Sequence, residues 1–200
     1  PWDEQLAVLE DSAELHLEND RGDGHPWHPY VQSVNTVEAV LKGEHGITMR
    51  DLVKLALRLR PERIILGEAR DGSMADVCLA ASTGHDGSMV TIHADDADEA
   101  VRRAAEYVMM APDFIGSANA ENMALRRVHQ AFDVTLHLRQ VRGERRVSGV
   151  VAVGDGVGDR RWIYATTPEG RLVREISLIG DLPPNLRYKL APHLSEVPPL

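Results

Sequence analysis

Three short apolar runs, each closed by an acid or an imidazole, constrain the fold of this chain more than any other feature. They are LAVLE (residues 6–10), IILGE (64–68) and MVTIH (89–93). Helical periodicity fills the spaces around the second and third. Leu52, Leu55, Ala56 and Leu59 recur at i, i+3, i+4 and i+7, which predicts a helix with those residues inward. Thr48 is placed to cap it, Asp51 holds the capping-box position, and Pro61 stops it. A second helix is expected from about Ser73, with Met74, Val77, Cys78 and Ala81 inward and Gly84 as its stop. The acids Asp95, Asp96, Asp98 and Glu99 suit the start of a third helix, whose inner face is Ala97, Val101, Ala104, Ala105 and Val108. Strands apolar on both faces, alternating with amphipathic helices, predict an α/β fold with a largely parallel, helix-covered sheet.

Residues 20–46, rich in Gly, His, Pro and Asp, read as a loop with a short helix near residues 37–41. Within it His25, Trp27, His28 and Tyr30 read as packed loop aromatics. Beyond a fourth helix near residues 119–129 the texture changes. Val134, Leu136 and Leu138 alternate, and runs at 147–153, 162–166 and 172–176 follow, the marks of antiparallel strands joined by hairpins. The expected organisation is a core over residues 1–133, an antiparallel β extension of the same domain over 134–180, and a Pro-rich tail over 181–200 with a turn of helix near 186–190. The first residue is Pro1 and a strand follows almost at once, so the sequence reads as a piece of a longer chain.

Composition narrows the function classes. Net charge is −9 with 22 basic residues, so direct nucleic-acid binding is not expected. The single cysteine, Cys78, allows no disulfide within the chain and falls on an apolar helix face as a core residue. No apolar run approaches the roughly 20 residues that cross a bilayer, and a cytoplasmic location follows as the expectation.

In an open parallel sheet, ligands bind beyond the carboxyl ends of the strands. Glu10, Glu68 and His93 are all expected there. A carboxylate closing a short apolar strand is the form of a Walker B segment, which polarises an attacking water or holds Mg²⁺ through water. Glu68 suits the first role, and Glu10 with Asp11 the magnesium environment. A neighbouring histidine suits hydrogen bonding to a phosphate oxygen. A rival reading makes His85, Asp86, His93, Asp95 and Glu68 ligands of a hydrolytic metal. Against it, the two histidines are eight residues apart, on the order of 20 Å or more along an extended strand.

LAVLEDSAEL (6–15), RPERIILGEARDG (60–72) and TGHDGSMVTIHADDADEAVRR (83–103) resemble the Asp box, Walker B and His box of the secretion-superfamily traffic ATPases. TMRDLVKLALRLRPERII (48–65) is most similar to the CpaF-like branch of Tad/Flp pilus and conjugation ATPases. The resemblance covers about residues 5–140, with the three motifs in the family's order. It implies a RecA-like P-loop NTPase sheet truncated on its N-terminal side, binding ATP and Mg²⁺ in a homo-oligomer, a hexamer by the family pattern. It also implies partners in an inner-membrane secretion or pilus platform and a location at the inner face of the bacterial membrane. By resemblance Glu10 and Glu14 are the Asp-box acids and Glu68 the catalytic carboxylate. Mg²⁺ would be held through water by Glu10, Asp11 and Glu68. His85 and His93 are the His-box pair, for nucleotide sensing and coupling. Arg50, Arg58, Arg60 and Arg70 are candidates for phosphate or intersubunit contacts.

The sequence departs from the family in one important respect. A P-loop has the form G-x-x-x-x-G-K-[ST], and the three lysines, Lys42, Lys54 and Lys189, follow Leu41, Val53 and Tyr188. The chain as given is therefore expected to bind ATP poorly, which leaves a non-catalytic assembly module as an alternative. Ala69 after the Walker B acid and the Asp95-Asp96 pair after His93 are smaller departures.

Overall fold

The computed structural model describes residues 2–39, 45–167, 170–176 and 179–190. The short helix expected near 37–41 and the last ten residues of the expected tail lie partly or wholly outside them. The chain divides into two compact units: Pro1–Ile92 with Tyr107–Ala118, and His93–Glu106 with Asn119–Leu200.

The first unit is built on a parallel sheet. Its elements are β1 (Leu6–Glu10), β2 (Val31–Asn35), α1 (Met49–Leu59), β3 (Arg63–Leu66), α2 (Ser73–Ala81) and β4 (Met89–Val90), with strand order β2-β1-β3-β4. β1 lies between β2 and β3, and all five of its residues are buried. Burial of each large aliphatic side chain there is worth about 1.5–3 kcal/mol, so LAVL anchors this unit. β2 corrects the expectation of a loop. With only Val31 and Val34 apolar, an edge strand half open to water carries too weak a pattern to be read. β4 also differs from the expected buried strand: it is two residues long and Met89 is 58% exposed. It pairs with β3 at one end of the strand order, which explains its open side. In the loop after β1, His28 stacks on Trp2, whereas Trp27 and Tyr30 are exposed rather than packed.

α1 begins as the sequence requires. Thr48 Oγ1 accepts from the Asp51 N–H at 3.3 Å, and the Asp51 carboxylate accepts from the Thr48 N–H at 3.0 Å, closing a capping box. Its buried residues are Met49, Leu52, Val53 and Ala56. Leu55, expected inside, is 42% exposed, because the inward stripe runs through Val53. Replacing Thr48 with Ala is expected to destabilise the protein by about 1 kcal/mol, readable as a lowered urea midpoint. The bonds from the Thr48 side chain and backbone hold the Asp51 carboxyl below the ordinary carboxylate value. A lowered folded-state value means the capping contribution is present above the unfolded value and fades as pH falls through the folded one. α2 matches its expected face, with Met74, Val77, Cys78 and Ala81 all buried.

The second unit holds most of α3 (Glu99–Met109), then α4 (Ala120–Ala131), β5 (Val134–Val141), β6 (Glu144–Val153), β7 (Arg160–Thr166), β8 (Leu172–Arg174) and α5 (Pro184–Leu190). β5-β6-β7-β8 form an antiparallel meander. Asp96 caps α3 by accepting from the N–H groups of Asp98 and Glu99 at 2.8 and 2.7 Å, which accounts for the Asp95-Asp96 departure. The predicted inner face of α3 is buried throughout. α5 packs Leu186 with Leu182 against Ala152 of β6. Among the described residues, no helix is long and apolar enough to cross a membrane.

Candidate functional site

β1 and β3 are adjacent and parallel, with Leu9 opposite Leu66, so Glu10 and Glu68 emerge at the same edge of the sheet. The backbone on both sides of Glu68 is clamped. Gly67 N–H donates to Leu9 O at 2.8 Å, Ala69 N–H donates to Thr91 O at 2.9 Å, and Thr91 Oγ1 donates to Gly67 O. A side chain at Gly67 would meet Glu10 Cγ at 3.0 Å, so a glycine there lets Glu10 lie across the strand before Glu68. Ala69 is fully buried, and a small residue suits that position.

Glu10 is 5% exposed, and its Oε1 accepts the N–H groups of Glu14 and Leu15, each at 3.2 Å. A buried carboxylate satisfied by backbone donors orders the turn that carries Asp11 and Glu14. Asp11 is exposed and accepts from Thr36 Oγ1 at 3.0 Å; the Glu14 side chain is exposed. Arg70 Nη2 donates to Glu68 Oε2 at 2.6 Å, and this bond holds the guanidinium more firmly protonated, with Asp11 and Glu14 adding electrostatic support. Arg70 is largely exposed, so the pair adds little stability. An open cleft of about 840 Å³ lies here, lined among others by Asp11, Ser12, Thr48, Glu68, Arg70 and Ser73. A carboxylate on a clamped backbone beside an exposed cation, in a polar cleft at strand ends, is equipped to orient a water and to neutralise an anion.

The other expected site residues are dispersed. Arg50 pairs with Asp76 at 2.8 Å and lies 3.7 Å from Asp113, so it joins α1 to α2 within this unit. Arg58 sits in the last turn of α1, and Arg60 is its left-handed C-cap, φ 53°. Both lie just before Arg63, the first residue of β3, at the amino edge of the sheet. His85 is at that edge too, with Nδ1 3.1 Å from Ala80 O at the end of α2. The turn after it packs Gly87 against the Arg63 guanidinium. His85 therefore stands across the sheet from Glu68. His93 follows β4 by three residues, is exposed, and opens the second unit. Sequence reasoning missed Thr91, which fixes the backbone around Glu68 from the position directly after β4; its polar side chain between Val90 and Ile92 is the signal that was available.

Glu10, Asp11 and Glu68 are not grouped as direct ligands, so a Mg²⁺ beside them would be reached through water, as the resemblance implies. Glu10 is engaged with backbone, Glu68 is paired with Arg70, and among the described residues no three His, Cys, Asp or Glu side chains gather as ligands. The hydrolytic-metal set is divided as well, with His85 and Asp86 at the opposite edge from Glu68.

Residues 2–145 match the family model described as Type II/IV secretion system protein. The chain is 34% identical over 151 residues to a putative conjugal transfer protein of Mycobacterium tuberculosis, covering 76% of this chain and 39% of that protein. It is 30% identical over 139 residues to the type IV secretion system protein VirB11 of Brucella suis, covering 69% of this chain and 36% of that one. Among solved structures it is similar to the VirB11 ATPase of Brucella suis in complex with sulphate, with TM-score 0.62, 26% identity, and coverage of 76% of this chain and 42% of that chain. A further similarity, of fold alone, is to the Legionella pneumophila ATPase DotB, with TM-score 0.53, 19% identity, and coverage of 78% and 38%. The chain thus spans well under half the length of these relatives. Its parallel sheet and antiparallel extension are the RecA-like α/β architecture expected from the sequence. The chain belongs to the type II/IV secretion system protein family.

Proposed function

We propose that the chain supplies the water-activating part of an ATP-hydrolysing motor that powers type II or type IV secretion, conjugation or Tad/Flp pilus assembly. The observation that carries this reading is the clamped Glu68 beside Arg70, in a polar cleft at the carboxyl ends of β1 and β3. In this reading Glu68 orients the attacking water and accepts its proton, while Arg70 turns from Glu68 to the terminal phosphate as nucleotide enters. Glu10 keeps the Asp-box turn in place, so Asp11 lines the same cleft. His93 senses the phosphate and couples its loss to movement. The motor works as a ring, a hexamer by family pattern, docked on an inner-membrane platform at the cytoplasmic face. Names of relatives support the secretion and conjugation branches; the similarity of residues 48–65 favours the CpaF-like one.

The absence of G-x-x-x-x-G-K-[ST] from the 200 residues favours a second reading for the chain by itself, as a module that assembles without turning over. Calorimetry on it is expected to show no saturable ATP binding below about 1 mM, since the backbone cradle and lysine that hold the phosphates are lacking. Tight binding would mean that another phosphate site exists in these residues. The motor reading is tested by adding the phosphate loop: a form of the protein that carries one should hydrolyse ATP, and a form that binds ATP without turnover would leave the module.

A further inference from the structure

β5 and β6 run on past the rest of their sheet. β7 pairs with β6 only from Gly149 to Val153, so Leu138–Val147 is a two-stranded arm, and every residue in it is exposed. At about 3.3 Å per residue the arm extends roughly 13 Å from Leu138 to Arg142. Its sequence, LRQVRGERRV, holds four arginines against one acid, a charge of +3 in a chain whose net charge is −9.

Nothing within the fold calls for these arginines. Arg139 stands directly opposite Arg146, and like charges so placed repel. Glu144 relieves Arg146 at 2.6 Å, while Arg139, Arg142 and Arg145 have no ion pair among the described residues. Arg142 and Gly143 turn the chain with φ 52° and 86°, and the first position of such a turn favours Asn, Asp or Gly. Local preferences broken together, with no gain in packing, mark a place shaped by something outside the chain.

Aliphatic side chains are interleaved with the charge. Leu138 and Val147 face each other on one side of the arm, with Arg145 next along that side, and Val141 lies on the other; all three aliphatic groups are exposed. The arm has no aromatic ring, so it lacks the stacking platform used on single-stranded nucleic acid. Leucine and valine also gain nothing from a phosphate backbone. An anionic bilayer answers both features, because its headgroups attract guanidinium groups and its acyl boundary takes the aliphatic side chains and the arginine stems. The Debye length at physiological salt, about 8 Å, is shorter than the arm, so acidic groups behind it are screened from a surface that the tip touches.

We propose that the β5–β6 arm is a docking surface for an anionic lipid bilayer, with Arg139, Arg142 and Arg145 on the headgroups and Leu138, Val141 and Val147 in the acyl boundary. This rests on the reading that the chain works at the face of a membrane.

Sedimentation with vesicles tests it. The protein should bind vesicles of equal parts phosphatidylglycerol and phosphatidylcholine about a hundredfold more tightly than phosphatidylcholine alone, at about fivefold for each unpaired arginine. Arg139→Gln/Arg142→Gln/Arg145→Gln should remove nearly all of that preference, with a melting temperature no lower than the native one because a repulsion is relieved. Arg102→Gln/Arg103→Gln on α3, where both side chains already pair with Glu99, should keep binding within about threefold of native. Leu138→Thr/Val147→Thr should weaken binding to the anionic vesicles by about fivefold or more. The proposal is overturned by a native protein that stays in solution beside anionic vesicles. It is overturned equally by a triple-arginine or aliphatic variant that binds as tightly as native, or by an equal loss in the α3 variant. Double-stranded DNA bound more tightly than vesicles at the same salt, and lost in the triple variant, would make the arm a nucleic-acid surface instead. Vesicle binding is read without ATP, so a form with a phosphate loop that fails to hydrolyse ATP would sink the motor reading and leave this result standing.

Discussion

Replacing Glu68 with Gln is expected to lower the turnover number of an ATP-hydrolysing form of the protein by at least about a hundredfold. Nucleotide affinity should stay within about threefold, because the change removes proton acceptance and leaves the shape of the cleft intact. The amide keeps a hydrogen bond within reach of Arg70, and Gly67 and Ala69 remain tied to Leu9 and Thr91. The backbone should therefore hold its place, and the loss should appear in kcat with KM little altered. Steady-state kinetics alongside equilibrium binding of an ATP analogue separates the two quantities. A variant that turned over at the native rate would remove Glu68 from the chemistry.

The largest stability effect is expected at Gly72, four residues beyond Glu68. A Cβ there would lie 2.8 Å from both the N and Cα atoms of Ala111 and 3.0 Å from the Met110 carbonyl carbon. These are backbone atoms and cannot rotate away. Gly72 is the N-cap of α2, with φ −61°, so its dihedral angles would admit a larger residue and only the contact forbids one. Gly72→Val should cost about 1–3 kcal/mol through overpacking, and lower Tm by roughly 2–4 °C per kcal/mol for a chain of this size. The strain bears on Asp71, whose Oδ1 accepts the Ser73 N–H at 2.8 Å, and through it on the cleft wall. Thermal unfolding followed by circular dichroism checks the first effect; a variant as stable as the native protein would mean that residues 110–111 move aside at little cost.

The sequence was most legible where a pattern has one structural solution. IILGE, bounded by helices with clear stripes and caps, and LAVLE, apolar throughout, read as neighbouring parallel strands, and Glu10 and Glu68 do share an edge. Four antiparallel strands were legible from their alternation; the turn between β5 and β6 is made at Arg142-Gly143, where both residues have positive φ. β2 was not, since two valines among polar residues look like loop until a neighbouring strand supplies their partners. The site was less legible than the fold because proximity of side chains depends on which end of an element they occupy. His85 has the same residue type and motif as His93, yet it precedes β4 and falls at the amino edge. Arg50, Arg58, Arg60 and Arg70 are equivalent in composition; only the position of Arg70, two residues past Glu68, brings it to the carboxylate. Thr91 breaks the apolar run between Val90 and Ile92, but a lone hydroxyl in a strand-like run does not reveal that it bonds the backbone of a neighbouring strand.

The measurement that bears most directly on these conclusions is a structure of an ATP-binding form of the protein with a non-hydrolysable ATP analogue. The terminal phosphate should lie beyond the carboxyl ends of β1 and β3, with the Glu68 carboxylate one water away and Arg70 turned from Glu68 onto a phosphate oxygen. A nucleotide seated instead at the amino edge, beside Arg58, Arg60 and His85, with the Glu68–Arg70 pair undisturbed, would contradict it.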